Sequence, residues 1–178
     1  MLNKSIKNFS YIDSCSYPPK NSIIELEKLK IKFKKNGCLR SIINIKDYDK
    51  KKFFEFKNYF ENTNFFYPVY HLQKKQNIQK QFKFFKKENI KLVKIHPRFL
   101  SKDLNKNYNF FKKIFLLSDK YRINIMFCTF DSFVAKSLHY NNLNLISKLI
   151  NLTKNIKIIL MHSGGTKILS YYERFRFV

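Results

Sequence analysis

The sequence predicts an α/β fold built from six strand–helix units in succession, and three observations carry that reading. Short runs rich in Ile, Val, Phe and Tyr recur along the chain. Between them lie stretches with apolar residues at helical spacing. The two kinds of segment alternate without a break, which calls for parallel strands with the helices outside the sheet. A chain of 178 residues with 44% hydrophobic residues buries a core of its own and is expected to form one domain, 1–178.

The first strand is read at Asn8 to Cys15, where Phe9, Tyr11, Asp13 and Cys15 share one face. It breaks at Pro18-Pro19. Ser22 and Glu25 then form a capping box, and Ile23, Leu26 and Phe33 continue a helix until Gly37 stops it. Cys38 to Lys46 is the second strand. Asp49 caps a helix carrying Phe53, Phe56 and Phe60, which Asn62 ends.

Phe65 to Leu72 is the third strand, and Ile78, Phe82 and Phe85 mark the stripe of its helix. Ile90 to His96 is the fourth, stopped by Pro97, with Leu92, Lys94 and His96 on one face. A helix follows with Tyr108, Phe111 and Phe115. Arg122 to Thr129 forms the fifth strand. A longer connection through Asp131 and His139 leads to a helix with Ile146, Leu149 and Ile150. The sixth strand runs through Ile156, Ile158 and Leu160 to His162, all on one face, and closes on Ser163-Gly164-Gly165 before a helix over 166–176. The paired glycines serve as a strand-to-helix turn, or their exposed amides hold an anion at the helix start.

Two architectures fit this order, a doubly wound open sheet and part of an eight-unit barrel. The nucleotide fingerprints of the open sheet, G-x-G-x-x-G and the Walker-type loop, are absent. Polar strand ends are present instead: Asp13 and Cys15, His71, Lys94 and His96, Cys128 and Thr129, and His162. Side chains converging from several strand ends are the barrel pattern, so the expected fold is an incomplete (β/α)8 TIM barrel of about six units. An eight-unit barrel runs to about 250 residues, and six units cannot close. Three explanations follow: the chain is truncated, which is the reading preferred here, copies of it associate through the open first and sixth strand edges, or the fold is an open sheet after all.

The formal net charge is +24, with 36 Lys and Arg against 12 Asp and Glu. The excess is almost all Lys and accompanies abundant Asn, Ile, Phe and Tyr, the residues of A- and T-rich codons. Because it is spread over every predicted helix instead of one arm, nucleic acid is disfavoured as a partner. No secretory leader and no apolar stretch of about 18 residues is visible, so no membrane and a cytoplasmic location are expected. Three dispersed cysteines, Cys15, Cys38 and Cys128, argue for reduced thiols and against a disulfide framework.

Four segments carry a family resemblance: Tyr-Ile-Asp-Ser-Cys (Tyr11 to Cys15), Val-Lys-Ile-His-Pro-Arg-Phe (Val93 to Phe99), Ile-Met-Phe-Cys-Thr-Phe (Ile125 to Phe130) and Ile-Ile-Leu-Met-His-Ser-Gly-Gly (Ile158 to Gly165). In order and spacing they resemble the amidohydrolase-related family of TIM-barrel metal-dependent hydrolases and decarboxylases. The resemblance implies metal-assisted hydrolysis of a C–N or C–O bond, or a decarboxylation, of a small polar substrate. By the family pattern Asp13 matches the aspartate that leads the first-strand motif, and His162 the sixth-strand histidine. Cys15 and Tyr17 stand where paired histidines are expected, Cys128 stands where the fifth-strand histidine belongs, and the closing aspartate has no counterpart.

Three readings of these residues stay open. His162, Cys15 and Cys128, with His96, could form a rebuilt soft site for a divalent metal, zinc foremost. Asp13, Lys94, His96 and His162 could perform metal-free acid–base chemistry. Alternatively, the cysteines are small core residues and His96 hydrogen-bonds at a Pro turn. Beside the hydrolase, two other classes remain: a non-catalytic scaffold or fragment, and a basic nucleic-acid-binding α/β domain.

Overall fold

The computed structural model describes residues 10–18, 22–46, 48–74, 76–97, 99–102, 104–129 and 143–161, with the backbone alone at 14, 15 and 143. Strands and helices alternate throughout, and every described ladder is parallel. The fold is the expected α/β one, an incomplete (β/α)8-type series of six strands and five helices among the described residues. The predicted sixth helix lies outside them. The chain divides into two compact units, 1–71 and 72–178, and each is described by itself.

The first unit holds β1 (Tyr11–Ser16), α1 (Ile23–Lys35), β2 (Cys38–Ile45), α2 (Lys50–Glu61) and β3 (Phe66–His71). β2 pairs with β1 on one side and β3 on the other, so spatial order follows chain order. Successive right-handed crossovers then place the helices on one common face. The caps read from sequence are in place. Ser22 accepts the Glu25 amide at 3.3 Å, and Asp49 accepts that of Lys52 at 2.8 Å. Only half of the capping box forms, since the Glu25 carboxylate takes the Lys28 ammonium at 2.9 Å instead. Gly37 closes α1 at φ 83°, a value that a Cβ would oppose.

α2 fixes which face of this unit is covered. Phe53 packs on Tyr70 at 4.7 Å between ring centres, and Phe60 meets Phe66 edge-on at 6.4 Å. Ladder partners share a face, so Ser41, Ile43 and Ile45, opposite Phe66, Pro68 and Tyr70, also look toward the helices. Ile42, Asn44, Tyr67, Val69 and His71 occupy the other face.

The second unit holds α3 (Ile78–Lys87), β4 (Leu92–Ile95), α4 (Tyr108–Tyr121), β5 (Asn124–Cys128), α5 (Leu143–Ile150) and β6 (Ile158–Met161). β5 lies between β4 and β6. α4 covers β5, with Phe111 and Phe115 at 6.2 and 5.9 Å from Phe127. Ile95 and Leu160, the ladder partners of Phe127, therefore face α4. Lys94, Met126, Cys128 and Met161 lie on the opposite face.

Arg122, read from sequence as the start of the fifth strand, instead ends α4. Its φ of 55° is left-handed, and its amide reaches back to Asp119 and Ser118. β6 is entered through a clamp. The Asp119 carboxylate accepts the amides of Lys154 and Asn155 at 2.8 and 2.7 Å and the Asn155 side chain at 3.0 Å. These donors, the Asn155 amide first, hold the carboxyl below its ordinary range.

Candidate active site

In the second unit the polar residues read from sequence gather at the carboxyl ends of β4 and β5. Lys94 is third of four buried residues in β4 and is 1% exposed. Its ladder partner is Met126, and Cys128, 3% exposed, is the next residue of β5 on that same face. Burying an ammonium costs several kcal/mol, so the position is one where a cation has to be accommodated by its surroundings. The Lys94 carbonyl accepts the Leu72 amide at 3.1 Å and fixes the backbone beneath it.

His96 follows β4 directly and is partly exposed. Its Nδ1 accepts the Phe99 amide at 3.3 Å, while the His96 carbonyl accepts the Leu100 amide at 3.0 Å. An Nδ1 that accepts leaves the proton of a neutral imidazole on Nε2, so the outer nitrogen is the donor. The contact matches the reading of His96 as a histidine hydrogen-bonded at a Pro turn. Thr129, 1% exposed, donates its hydroxyl to the Met161 carbonyl and ties the end of β5 to that of β6.

In the first unit Asp13 has a different place from the one expected. Its carboxylate accepts the Ser41 hydroxyl at 2.6 Å, and its ladder partner is Ser41, on the helix-covered face. His71 lies on the other face of the same three strands. The polar tips of this unit therefore do not all look the same way. The cause is local: the β1–β2 ladder shifts register between Tyr11 and Ile12, so the alternation counted from Tyr11 is broken before it reaches Asp13.

What does gather on the free face of the first unit is a group that sequence reading only partly singled out. Asn44 and His71 are both fully buried, and Asn44 donates to the Ser16 carbonyl at 3.1 Å. The Tyr17 ring meets His71 edge-on at 5.9 Å, and the Lys46 ammonium sits 4.3 Å above the centre of the Tyr17 ring. The Tyr48 hydroxyl donates to the His71 carbonyl at 3.1 Å. An asparagine inside the apolar run Ile42 to Ile45 is the sequence signal that could have drawn attention to this end of β2.

The fit of a metal is decided by donors. Among the described residues no three His, Cys, Asp or Glu side chains converge in a way that could hold an ion. Cys128 has the chemistry of a soft ligand, but Asp13 is engaged with Ser41. His162, the Cys15 side chain, Asp131, His139 and the paired glycines lie outside the described residues. Leu160, whose face the sequence reading shares with His162, points to α4, whereas Met161 shares the face of Cys128 and Lys94. The described donor set does not assemble the metal centre by itself. No helix among the described residues is long and apolar enough to cross a membrane.

The chain matches no protein-family model, and no curated protein sequence matches it.

Proposed function

We propose that this chain is an amidohydrolase-related hydrolase or decarboxylase acting on a small polar substrate, with its chemistry at the strand carboxyl ends. The observation that carries the reading is Lys94, a buried cation on the face of the sheet opposite α4, with Cys128 on that face and His96 one step beyond the strand. In this reading the Lys94 ammonium stabilises negative charge that develops on a substrate oxygen, and the outer nitrogen of His96 gives or takes the proton. The parallel alternation of strands and helices supports it, since such folds place reacting groups at that end. A divalent metal, zinc foremost, belongs to the same proposal, as does association of copies through open strand edges.

The test uses the full chain, purified gently and assayed with small amides, esters and carboxylic acids, with and without added zinc or manganese. Turnover that falls about a hundredfold or more in Lys94→Met, with the circular dichroism spectrum unchanged, supports the reading. Turnover equal in the variant, or none in the parent chain with either metal, defeats it and favours a non-catalytic scaffold. Elemental analysis near one metal per chain supports the metal; none removes it from the proposal.

A further inference from the structure

We propose that the second unit carries a nucleic-acid-binding surface at the amino ends of β4 to β6, where Lys91, Lys120, Arg122, Lys154 and Lys157 hold a phosphodiester backbone. The surface goes beyond the reaction proposed above and does not depend on it, because Lys94 and Cys128 stand toward the other ends of these strands.

Cations that are dispersed along the sequence are gathered here by the fold. β4, β5 and β6 run parallel, so their amino ends line one edge, and α4, which joins β4 to β5, returns to that edge with its last turn. Backbone contacts fix the neighbours. The Asn124 amide donates to the Lys91 carbonyl at 2.8 Å, the Ile125 amide to the Lys157 carbonyl at 3.1 Å, and the Lys157 amide to the Asn124 side chain at 2.8 Å. Lys91 and Lys157 therefore flank the start of β5, their backbones about 10 Å apart at two strand spacings. Arg122 stands two residues before Asn124, and the Asp119 clamp sets Lys154 beside the end of α4, where Lys120 lies. All five are exposed.

None of the five takes part in the three ion pairs found among the described residues. Of the described carboxylates near this edge, Glu88 and Asp119, the second already accepts three N–H donors, with Lys154 adding attraction. Cations at the carboxyl end of a helix complement its dipole, which accounts for Lys120 and Arg122. Lys91, Lys154 and Lys157 belong to no helix, so the dipole does not explain them.

The surrounding chemistry selects the kind of anion. The exposed large apolar side chains among the described residues all lie outside 86–91, 119–124 and 151–157, so this edge has nothing to insert into a lipid surface. It presents the exposed amides of Asn89 and Asn151 instead, and the partly exposed Tyr121 ring 5.9 Å from the Lys120 ammonium. Lys, Arg, Asn and Tyr are side chains that contact phosphate and sugar without reading sequence. Binding of low sequence preference and steep salt dependence follows.

The experiment measures fluorescence anisotropy of a labelled single-stranded RNA of mixed sequence with the full chain, from 50 to 200 mM sodium chloride. Lys91→Gln/Lys157→Gln should weaken binding about tenfold at 150 mM salt and flatten the slope of log K against log salt by about 1.4, for two single-strand phosphate contacts. Lys112→Gln/Lys113→Gln removes the same charge from exposed positions in the first half of α4 and should change affinity by less than about twofold. Lys91→Arg/Lys157→Arg should bind as the parent does, which separates lost charge from lost folding. Equal weakening by the two glutamine pairs would show diffuse attraction to a basic surface and overturn the proposal. No binding by the parent at 50 mM salt would overturn it as well. Vesicles of phosphatidylserine and phosphatidylcholine supply the last arm: if they bind the parent and the RNA does not, the surface serves lipid and the proposal falls.

Discussion

A carboxylate that accepts three hydrogen bonds from one short segment ties the segment to wherever the carboxylate is rooted. Asp119 does this near the end of α4, gathering the amides of Lys154 and Asn155 on the approach to β6. Asp119→Ala should cost about 1–3 kcal/mol, the range for hydrogen bonds to a charged group, toward its lower end because the site is close to solvent. The pH dependence has a definite sign. The folded carboxyl sits below its ordinary value of 3.8, so the contribution is complete above that value and fades as pH falls through the lowered one. Urea midpoints of parent and Asp119→Ala should differ at pH 7 and converge in strong acid. A constant difference across that range would show that the loss is packing and not charge. Gly37 gives a second prediction at this scale. Its φ of 83° disfavours a Cβ, so Gly37→Ala should lower stability by about 1–2 kcal/mol in the same measurement.

Among the elements, the aromatic layer between α4 and β5 carries the second unit. Phe111, Phe115 and Phe127 are all fully buried, and each ring touches another. Phe111→Ala should therefore cost about 3–5 kcal/mol, whereas Ile24→Gln on α1, at a position 70% exposed, should stay within about 0.5 kcal/mol. Thermal denaturation distinguishes the two at once. The helices were readable because their signals are local. Ser22 and Asp49 cap the turn that follows them, and Phe53, Phe56 and Phe60 fall on one stripe whatever lies opposite. The strand ends were readable as positions but not as directions. Alternation says that Leu160 and His162 share a face; only the pairing of Leu160 with Phe127 says that Leu160 turns toward α4. A register shift in β1 sent Asp13 to the helix side, and no periodicity of two anticipates a shift. Arg122 in a left-handed cap was equally hidden, because glycine or asparagine is the usual residue there. Gln81 was missed for a related reason. It falls between the apolar positions of α3, yet its side chain bonds the backbone of Gln73 and Gln76 and pins the loop before the helix.

For the molecule as a whole, charge is the quantity that the fold has to tolerate. A formal +24 spread over 178 residues is self-repelling, and the three ion pairs found among the described residues are short-range pairs within single helices. Such pairs contribute little, about 0.3–0.5 kcal/mol each, and they do not offset repulsion between helices. The Debye length falls from about 30 Å at 0.01 M salt to about 8 Å at 0.15 M, so salt screens the repulsion between distant lysines well before it weakens contacts at 3 Å. Stability should therefore rise as sodium chloride is added from low concentration, opposite to what a fold held by surface ion pairs would do. Urea denaturation in 10, 50, 150 and 500 mM salt measures this directly. A midpoint that climbs over the first steps fits a core-stabilised chain bearing an unbalanced surface. A midpoint that falls would mean that lysines are engaged in attractive pairs beyond those within α1 and α2. Chloride and sulfate at equal ionic strength separate screening from site binding. Equal gains indicate screening alone, while a larger gain with sulfate would show anion binding to the lysine-rich surface.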